Sequence, residues 1–596
     1  MMWWEIVDAN RGMRSPLGHD CLPLVLQQGV EDLQTACTLL QTSKAMRDAA
    51  LAHCSVQLEL KAGKIDHMDR VAAWINNPDT LEQAERTAAW IAKYGSSLSS
   101  FEWQPKLDRS RHPSLDQDSR AAAFVALAAA LRMAEATPRG LSLCSCKLAS
   151  VNWDCAIILQ QLPVNTLTSL ELSFDFNSTT NSVTSVQQEK EKLAGVVAAL
   201  PQLQQLRKLV LEVDDRDHLQ HVDSLLEPLS SLTNLTRLEV GPLWALRELQ
   251  HAPPGLLELY YDWEVFEAAN PCYHPLKLTH LTALTKLTTG HTAEIFYGTE
   301  LPLSLKELQC GRLPDADPLL PLRYLQRLEI QSCMSKAAEL QRLSSLTSLT
   351  HISICYVDTL SSNPEYYDST PDDEITPDAA SAAWPALTNK LRELHIVDHR
   401  AGLPDYHQPY QLSADAVEEL GRLTALTSLS LMYLQCPEVT PQQLAAALKR
   451  CTALQELELG DLQLQWGAIE SLTGDGGLAA AKARGMQAVA AGIASLPSLQ
   501  KLSLSRLPVD MHAAAALAAA AGAGTQLTHL SLKDCKLSDC SMNVLALGLT
   551  SLKSLEIRYC DVGDASLPPL VRLQLQLLQW SGCKFTDAAL DLFMPR

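Results

Sequence analysis

Apolar residues recur along this chain in one short phrase, Leu-x-x-Leu-x-Leu, between Leu167 and Trp580. Copies begin at Leu167, Leu206, Leu235, Leu256, Leu284, Leu305, Leu325, Leu349, Leu391, Leu426, Leu454, Leu499, Leu527, Leu552 and Leu575. The first position is Leu in every copy, and the fourth is Leu in all but one, Ile352. The sixth is looser, with Leu172, Val240, Tyr261, Thr289, Cys310, Ile330 and Trp580 among its occupants. Each copy predicts one short strand. A single strand cannot bury its own leucines, so neighbouring units must stack and share a core.

Side chains alternate across a strand. With positions one, four and six buried, positions three and five are left on the open, concave face of the stack. They are polar and of mixed sign, and Arg237 beside Glu239 and Arg327 beside Glu329 predict self-neutralising pairs. His351 and His395 fall on the same face. A protein-binding site there needs apolar anchors, and the candidates are Tyr260, Tyr261, Trp263 and Phe266, with Tyr433 and Leu434. Concave partner-binding candidates are therefore Arg237, Glu239, Tyr260, Trp263, Arg327, Glu329, His351, His395 and Tyr433. A solvated, non-binding face is the competing reading.

The intervals between copies divide the chain. Short ones leave room for a turn on the convex side, and long ones carry insertions at 174–192 and 357–384, the latter rich in Pro and Asp. Residues 1–94 show apolar spacing near 3.6 and predict a helical N-terminal region. The repeats are expected to occupy 95–596, with a strand at Leu98–Trp103, a helix at Ala121–Ala136 and a strand at Leu141–Cys146. Gly474–Ala491 predicts a further helix.

Composition narrows the function classes. The chain has 596 residues and a net charge of −20, which disfavours phosphate backbones and anionic membrane surfaces. Its longest apolar runs, Ala121–Leu131 and Ala513–Ala523, are too short to span a bilayer. The start, MMWWEIVDANRGMRSPLG, has no apolar segment of secretory length, so a cytoplasmic or nuclear, reducing location is expected. Cys333, Cys535, Cys560 and Cys583 each fall three residues after a sixth position, where the chain leaves the strand. A thiol there acts as a small hydrophobe with a weak donor. Cys146 is expected in the same role in an earlier, weaker repeat. Ser538-Asp539, Gly563-Asp564 and Thr586-Asp587 recur after the cysteines and predict caps for the convex helices.

Catalytic constellations are thin. The sequence has no HExxH, Walker loop, GxSxG or GxGxxG motif and no CxxC pair of zinc spacing. His395, Asp398 and His399 lie on a strand and its exit, where helical i/i+4 ligand geometry fails. The expectation is a non-enzyme without catalytic residues, cofactor, metal, small-molecule substrate or nucleic-acid partner.

The LxxLxLxxC units and capped helices resemble cysteine-containing and ribonuclease-inhibitor-like leucine-rich repeats, and LTSLTHISI and LTALTSLSL look like the irregular solenoids of green algae. The resemblance implies an α/β solenoid, a horseshoe with a parallel concave sheet and a mostly helical convex side, preceded by a short helical region. A second resemblance lies at about 20–55. Leu22-Pro23-Leu24-Val25-Leu26, Asp32-Leu33 and Ser43-Lys44-Ala45-Met46-Arg47 look like a degenerate F-box, with Met46 where that family carries Trp. Carried over, Leu22, Pro23, Leu26, Leu33, Lys44 and Met46 face the adaptor of a cullin-type (SCF) ubiquitin ligase, and the repeats hold its substrate. The alternative is that these helices only cap the first coil, and that the chain is a binding or inhibitor solenoid unrelated to ubiquitin. Arginine-based GTPase regulation, for which Arg237, Arg247 and Arg323 can be named, is the remaining reading.

Overall fold

The computed structural model describes residues 56–61, 88–89, 91–92, 98–104, 117–137, 140–141, 143–151, 155–174, 195–213, 227–241, 246–261, 277–290, 298–313, 316–332, 342–356, 389–398, 412–466, 475–522, 526–586 and 589. The chain divides into two compact units, Met1–Tyr261 with His280–Leu284, and Asp262–Thr279 with Thr285–Arg596. The adaptor-facing candidates at 22–46, the bodies of both insertions, and Trp263, Phe266 and Cys333 lie outside the described residues.

Among the described residues the first unit is a parallel ladder of seven strands in chain order: β1 (Val56–Lys61), β2 (Leu98–Gln104), β3 (Ser145–Val151), β4 (Ser169–Phe174), β5 (Lys208–Val213), β6 (Arg237–Val240) and β7 (Glu258–Tyr261). The register matches repeat to repeat, with Leu170 opposite Leu209, Leu209 opposite Leu238 and Leu238 opposite Leu259. These leucines are fully buried, each worth about 1.5–3 kcal/mol relative to exposure. Helix α1 (Gln117–Glu135) returns the chain between β2 and β3, and α2 (Ala156–Leu159) follows β3.

Two features of this unit differ from the sequence reading. β1 lies inside the stretch read as helical, so the ladder starts before residue 95; VQLELK alternates at period two, a strand pattern too short to register among helical windows. β3 sits four residues later than expected at its start. Its register sets Cys146 opposite Leu170 and Leu148 opposite Leu172. Cys146 is thus a buried fourth-position core residue, not a turn thiol. Leu143, Cys146 and Leu148 form a repeat that the Leu-only phrase overlooks.

The second unit carries β8 (Lys286–Thr289), β9 (Glu307–Arg312), β10 (Arg327–Ser332), β11 (His351–Tyr356), β12 (Glu393–Asp398), β13 (Ser428–Met432), β14 (Gln435–Cys436), β15 (Glu456–Gly460), β16 (Gln463–Leu464), β17 (Lys501–Ser505), β18 (His529–Lys533), β19 (Ser554–Arg558) and β20 (Leu577–Ser581). All but β14 and β16 form one parallel ladder; those two pair with each other beside it. The repeats are leucine-rich-repeat coils: positions one, four and six point inward in the stacked coils, the terminal β20 being the more open one, and the chain returns by a turn or helix.

The return path changes along this unit. A 3-10 turn at Leu343–Ser345 leads into β11. From β13 onward helices take over: α3 (Ala414–Leu420) before it, then α4 (Pro441–Arg450), α5 (Asp475–Ala494), α6 (Met511–Gly522), α7 (Asp539–Gly548) and α8 (Leu567–Arg572). Small residues let these helices approach closely. A Cβ on Gly548 would sit 2.7 Å from the Ala518 Cα, and one on Gly492 2.8 Å from the Ala445 Cα.

The turn thiols behave as expected. Cys535 reaches the Leu504 carbonyl at 3.4 Å, Cys560 the Leu532 carbonyl at 3.7 Å and Cys583 the Ile557 carbonyl at 3.6 Å, each in the preceding coil. Burial pushes the Cys535 thiol up to about 12 and Cys560 to about 11. Among the described residues, the recurring aspartates Asp539 and Asp564, in contrast, do not cap their own helices. Ser538 caps α7 by accepting from the Ser541 amide. The Asp539 carboxylate instead accepts from the Gly563 amide of the next coil at 2.6 Å, and Asp564 accepts from the Thr586 amide at 2.8 Å.

Candidate partner-binding face

In both units the core takes most of the apolar phrase and leaves most residues of positions three and five outside, although Val210, Thr288 and Ser430 at position five are themselves buried. β4 and β12 show the alternation plainly, with half-exposed and buried residues in strict succession. The open faces are polar because their neighbours stand one strand apart, where opposite charges pair.

In the first unit Lys147 meets Glu171 at 2.6 Å. Arg237 reaches Glu239 at 2.7 Å and Glu258 at 3.3 Å, while Lys208 approaches Glu239 at 3.6 Å. Arg237 is therefore held by two carboxylates while its side chain stays exposed. Burial, reinforced by Glu171, raises Glu212 above the ordinary carboxylate value, with Lys147 opposing. Tyr260 stands at position five of β7, 39% exposed, whereas Tyr261 at position six is core. The aromatic pair read as one cluster is split across the two faces of the strand.

In the second unit Lys286 pairs with Glu307 at 3.4 Å and Arg327 with Glu329 at 2.7 Å. The hydrogen bond to Glu329 raises the Arg327 guanidinium further. Glu393 lies between two imidazoles, 3.1 Å from His351 Nε2 and 3.9 Å from His395 Nε2. The structure thus brings His351 and His395 onto one carboxylate across β11 and β12, a juxtaposition that sequence spacing alone does not reveal. Among the described residues no group of three His, Cys, Asp or Glu side chains is placed to hold a metal ion. No described helix is long and apolar enough to cross a membrane.

Tyr433 does not lie on the concave strand surface. It is the residue after β13, with φ 60°, and Leu434 behind it is buried. This marks a device the sequence reading missed. In β9 to β12 the strand continues through position eight, at Arg312, Ser332, Tyr356 and Asp398. From β13 onward the strand stops at position seven, and position eight turns into the left-handed region: Tyr433, Asp461 (φ 46°), Arg506 (φ 51°), Asp534 (φ 52°), Tyr559 (φ 53°) and Gly582 (φ 64°). The amides of the five residues ahead of Gly582 donate to position seven of the next coil, as Tyr433 does to the Gly460 carbonyl at 2.7 Å and Asp534 to the Arg558 carbonyl at 2.7 Å. For L residues this conformation costs roughly 1–2 kcal/mol each, with Asp better tolerated. Gly582 shows that glycine satisfies the same turn. The available signal was the constant offset of seven residues from each first-position leucine.

These side chains form a row along the rim. Arg506 donates to Asp461 at 3.1 Å, lies 3.4 Å from Asp534, and sits 5.7 Å from the centre of the Tyr433 ring. The hydrogen bond to Asp461 raises its guanidinium above the ordinary value.

No protein-family model matches the sequence, and no curated protein is significantly similar to it. Among solved structures the chain is similar to an internalin from Listeria monocytogenes, at 15% identity over 68% of this chain and 88% of that one with a TM-score of 0.26. It is also similar to a leucine-rich-repeat protein of Leptospira interrogans, at 16% identity over 79% and 97% with a TM-score of 0.35. A third is TLR13 in its complex with ssRNA13, at 13% identity over 72% and 61% with a TM-score of 0.36. The strand ladders themselves establish the fold.

Proposed function

We propose that this chain is a non-enzymatic protein-binding scaffold that engages its partners through the concave strand rows. The observation that carries the reading is the division of labour within each coil. Apolar residues are spent on the core, thiols and aspartates tie coil to coil, and positions three and five stand in charged rows on a rigid backbone. A surface repeated at strand spacing suits an extended polypeptide better than a small molecule. The test is site-specific photo-crosslinking in native extract. A benzophenone side chain at Ser503 on the concave face should capture discrete proteins, and one at exposed Leu547 on α7 should not. Equal capture at the two positions, or none at Ser503, removes the reading.

The finer proposal is substrate recognition for a cullin-type ubiquitin ligase. It rests on Leu22, Pro23, Leu26, Leu33, Lys44 and Met46 as a degenerate F-box, with tethering raising the local concentration of a bound substrate. Recovery of the ligase adaptor by the intact chain, lost in a Leu22→Asp/Pro23→Ala variant, is the expected result. No recovery by the intact chain leaves a scaffold without a ligase link. A GTPase-regulating role draws no support from Arg237, which is engaged by Glu239 and Glu258.

A further inference from the structure

The rim row of the second unit reads Tyr433, Asp461, Arg506, Asp534, Tyr559 on the successive strand exits after β13, β15, β17, β18 and β19. It is a mirror sequence about Arg506. One half is filled from within: the guanidinium of Arg506 lies over the Tyr433 ring and takes the Asp461 carboxylate. The other half repeats the same two groups in the same order outward from Arg506, as Asp534 and then Tyr559. Tyr559 is 61% exposed, and the Asp534 side chain is 54% exposed while touching Arg506 through one oxygen, Oδ2.

Gly582 fixes how Tyr559 is presented. A Cβ at that position would lie 2.4 Å from the ring's Cδ1 and 2.8 Å from Cε1. The ring is therefore bedded on the bare glycine of the next coil, leaving the rest of its surface to solvent. All three residues hold a left-handed backbone. Glycine would satisfy the turn at position 559 without steric cost, so the tyrosine is not explained by the fold.

We propose that Asp534 and Tyr559 form a docking shelf for an arginine side chain of a partner protein, which takes there the place that Arg506 takes on Asp461 and Tyr433. A guanidinium suits the shelf because its plane stacks on an aromatic face while its edge donates to a carboxylate. The chain's charge of −20 draws a basic partner toward it. Lys533 and Arg558 on the adjoining strand ends, and Lys584, which pairs with Asp561 at 3.0 Å, keep this end of the unit from being a general cation trap. The shelf therefore selects one well-placed guanidinium over a polycationic surface. This inference rests on the protein-binding reading and adds a second surface, the rim, to the concave rows.

The experiment uses the full chain and a labelled peptide of glycine and serine carrying one arginine, with counterparts in which lysine or glutamate replaces it. Binding is followed by fluorescence anisotropy at low salt. The arginine peptide should bind, the lysine peptide several-fold more weakly, and the glutamate peptide not at all. Tyr559→Gly should weaken arginine binding about three- to tenfold, and Asp534→Asn by a similar factor. Thermal unfolding separates binding from folding. Tyr559→Gly relieves the left-handed strain and should leave the melting temperature unchanged or higher while binding falls. An unaffected arginine affinity in both variants overturns the shelf, as does equal binding of the arginine and lysine peptides. A fall in melting temperature matching the loss of binding overturns it too. If concave crosslinking at Ser503 persists while the rim variants have no effect, only the shelf fails; loss of crosslinking removes the scaffold reading beneath it.

Discussion

Replacing Asp539 with Ala tests whether the periodic aspartates join coils. In the native chain one carboxylate oxygen accepts the Gly563 amide at 2.6 Å, and Gly563 is buried. Removing the acceptor leaves that N–H without a partner away from water, a cost of about 1–3 kcal/mol. Loss of the negative charge in the first turn of α7 adds about 0.3–1 kcal/mol. The expected sum is about 2 kcal/mol. Asn at the same position keeps an acceptor oxygen and should cost only the charge contribution, below about 1 kcal/mol. Because stacked repeats open locally, hydrogen exchange of the Gly563 amide is the better assay than global unfolding. A local opening free energy lower by about 2 kcal/mol accelerates exchange roughly thirtyfold, since each 1.4 kcal/mol is a factor of ten. Exchange within about threefold of the parent in Asp539→Ala, or equal acceleration in the Asn variant, would refute the coil-joining role. The latter result would mean that charge, not the hydrogen bond, carries the effect.

Other outcomes are expected from the same geometry. Leu457→Ala, at a buried fourth position of β15, should destabilise the second unit by about 2–5 kcal/mol in urea titration. Gly548→Leu should cost about 1–3 kcal/mol by driving α7 off Ala518, seen as a lower melting temperature. At pH 8 a thiol reagent should label exposed Cys540 in the native chain while sparing Cys535 and Cys560, whose burial disfavours the thiolate. The same burial makes stability fall with alkali. The unfolded thiols ionise from about pH 9 while the folded ones hold their protons to about 12 and 11, so the Cys535 contribution is intact below pH 9 and is lost as pH rises toward 12. Its slope is about 1.4 kcal/mol per pH unit, and Cys535→Ala should flatten it in denaturant titrations across that range.

Much of the ladder was legible because its signal is redundant. The leucine of position one recurs in every copy and that of position four in all but the copy with Ile352, and each strand confirms its neighbour's register. Where one copy departs in type, as Cys146 does at a fourth position, the phrase is lost although the core accepts a small thiol as readily. The charged pairs Arg237–Glu239 and Arg327–Glu329 were legible because partners two residues apart on one strand share a face. The His351–Glu393–His395 association was not, since forty-two residues of chain separate His351 from Glu393 and only the stacking register sets them side by side. The aspartates were misplaced for a related reason. Their local context satisfies a cap pattern, and nothing within ten residues reveals the amide of the following coil. The left-handed rim escaped because residue type there varies freely among Tyr, Asp, Arg and Gly, and the constraint lies on the backbone.

The aspartate links also bear on how such a chain can be lengthened or shortened. Asp539 finds its amide at residue 563, and Asp564 finds its own at residue 586. Each carboxylate thus addresses a site one full turn of the solenoid ahead. An insertion within a convex helix shifts that address and strands both donor and acceptor. A duplication or excision of one whole turn, cut at the same phase on both sides, restores every link. Recombination at whole-turn phase is therefore the tolerated mode of change in this part of the chain, and it would alter the number of rim and concave residues offered to a partner without disturbing how any one of them is held.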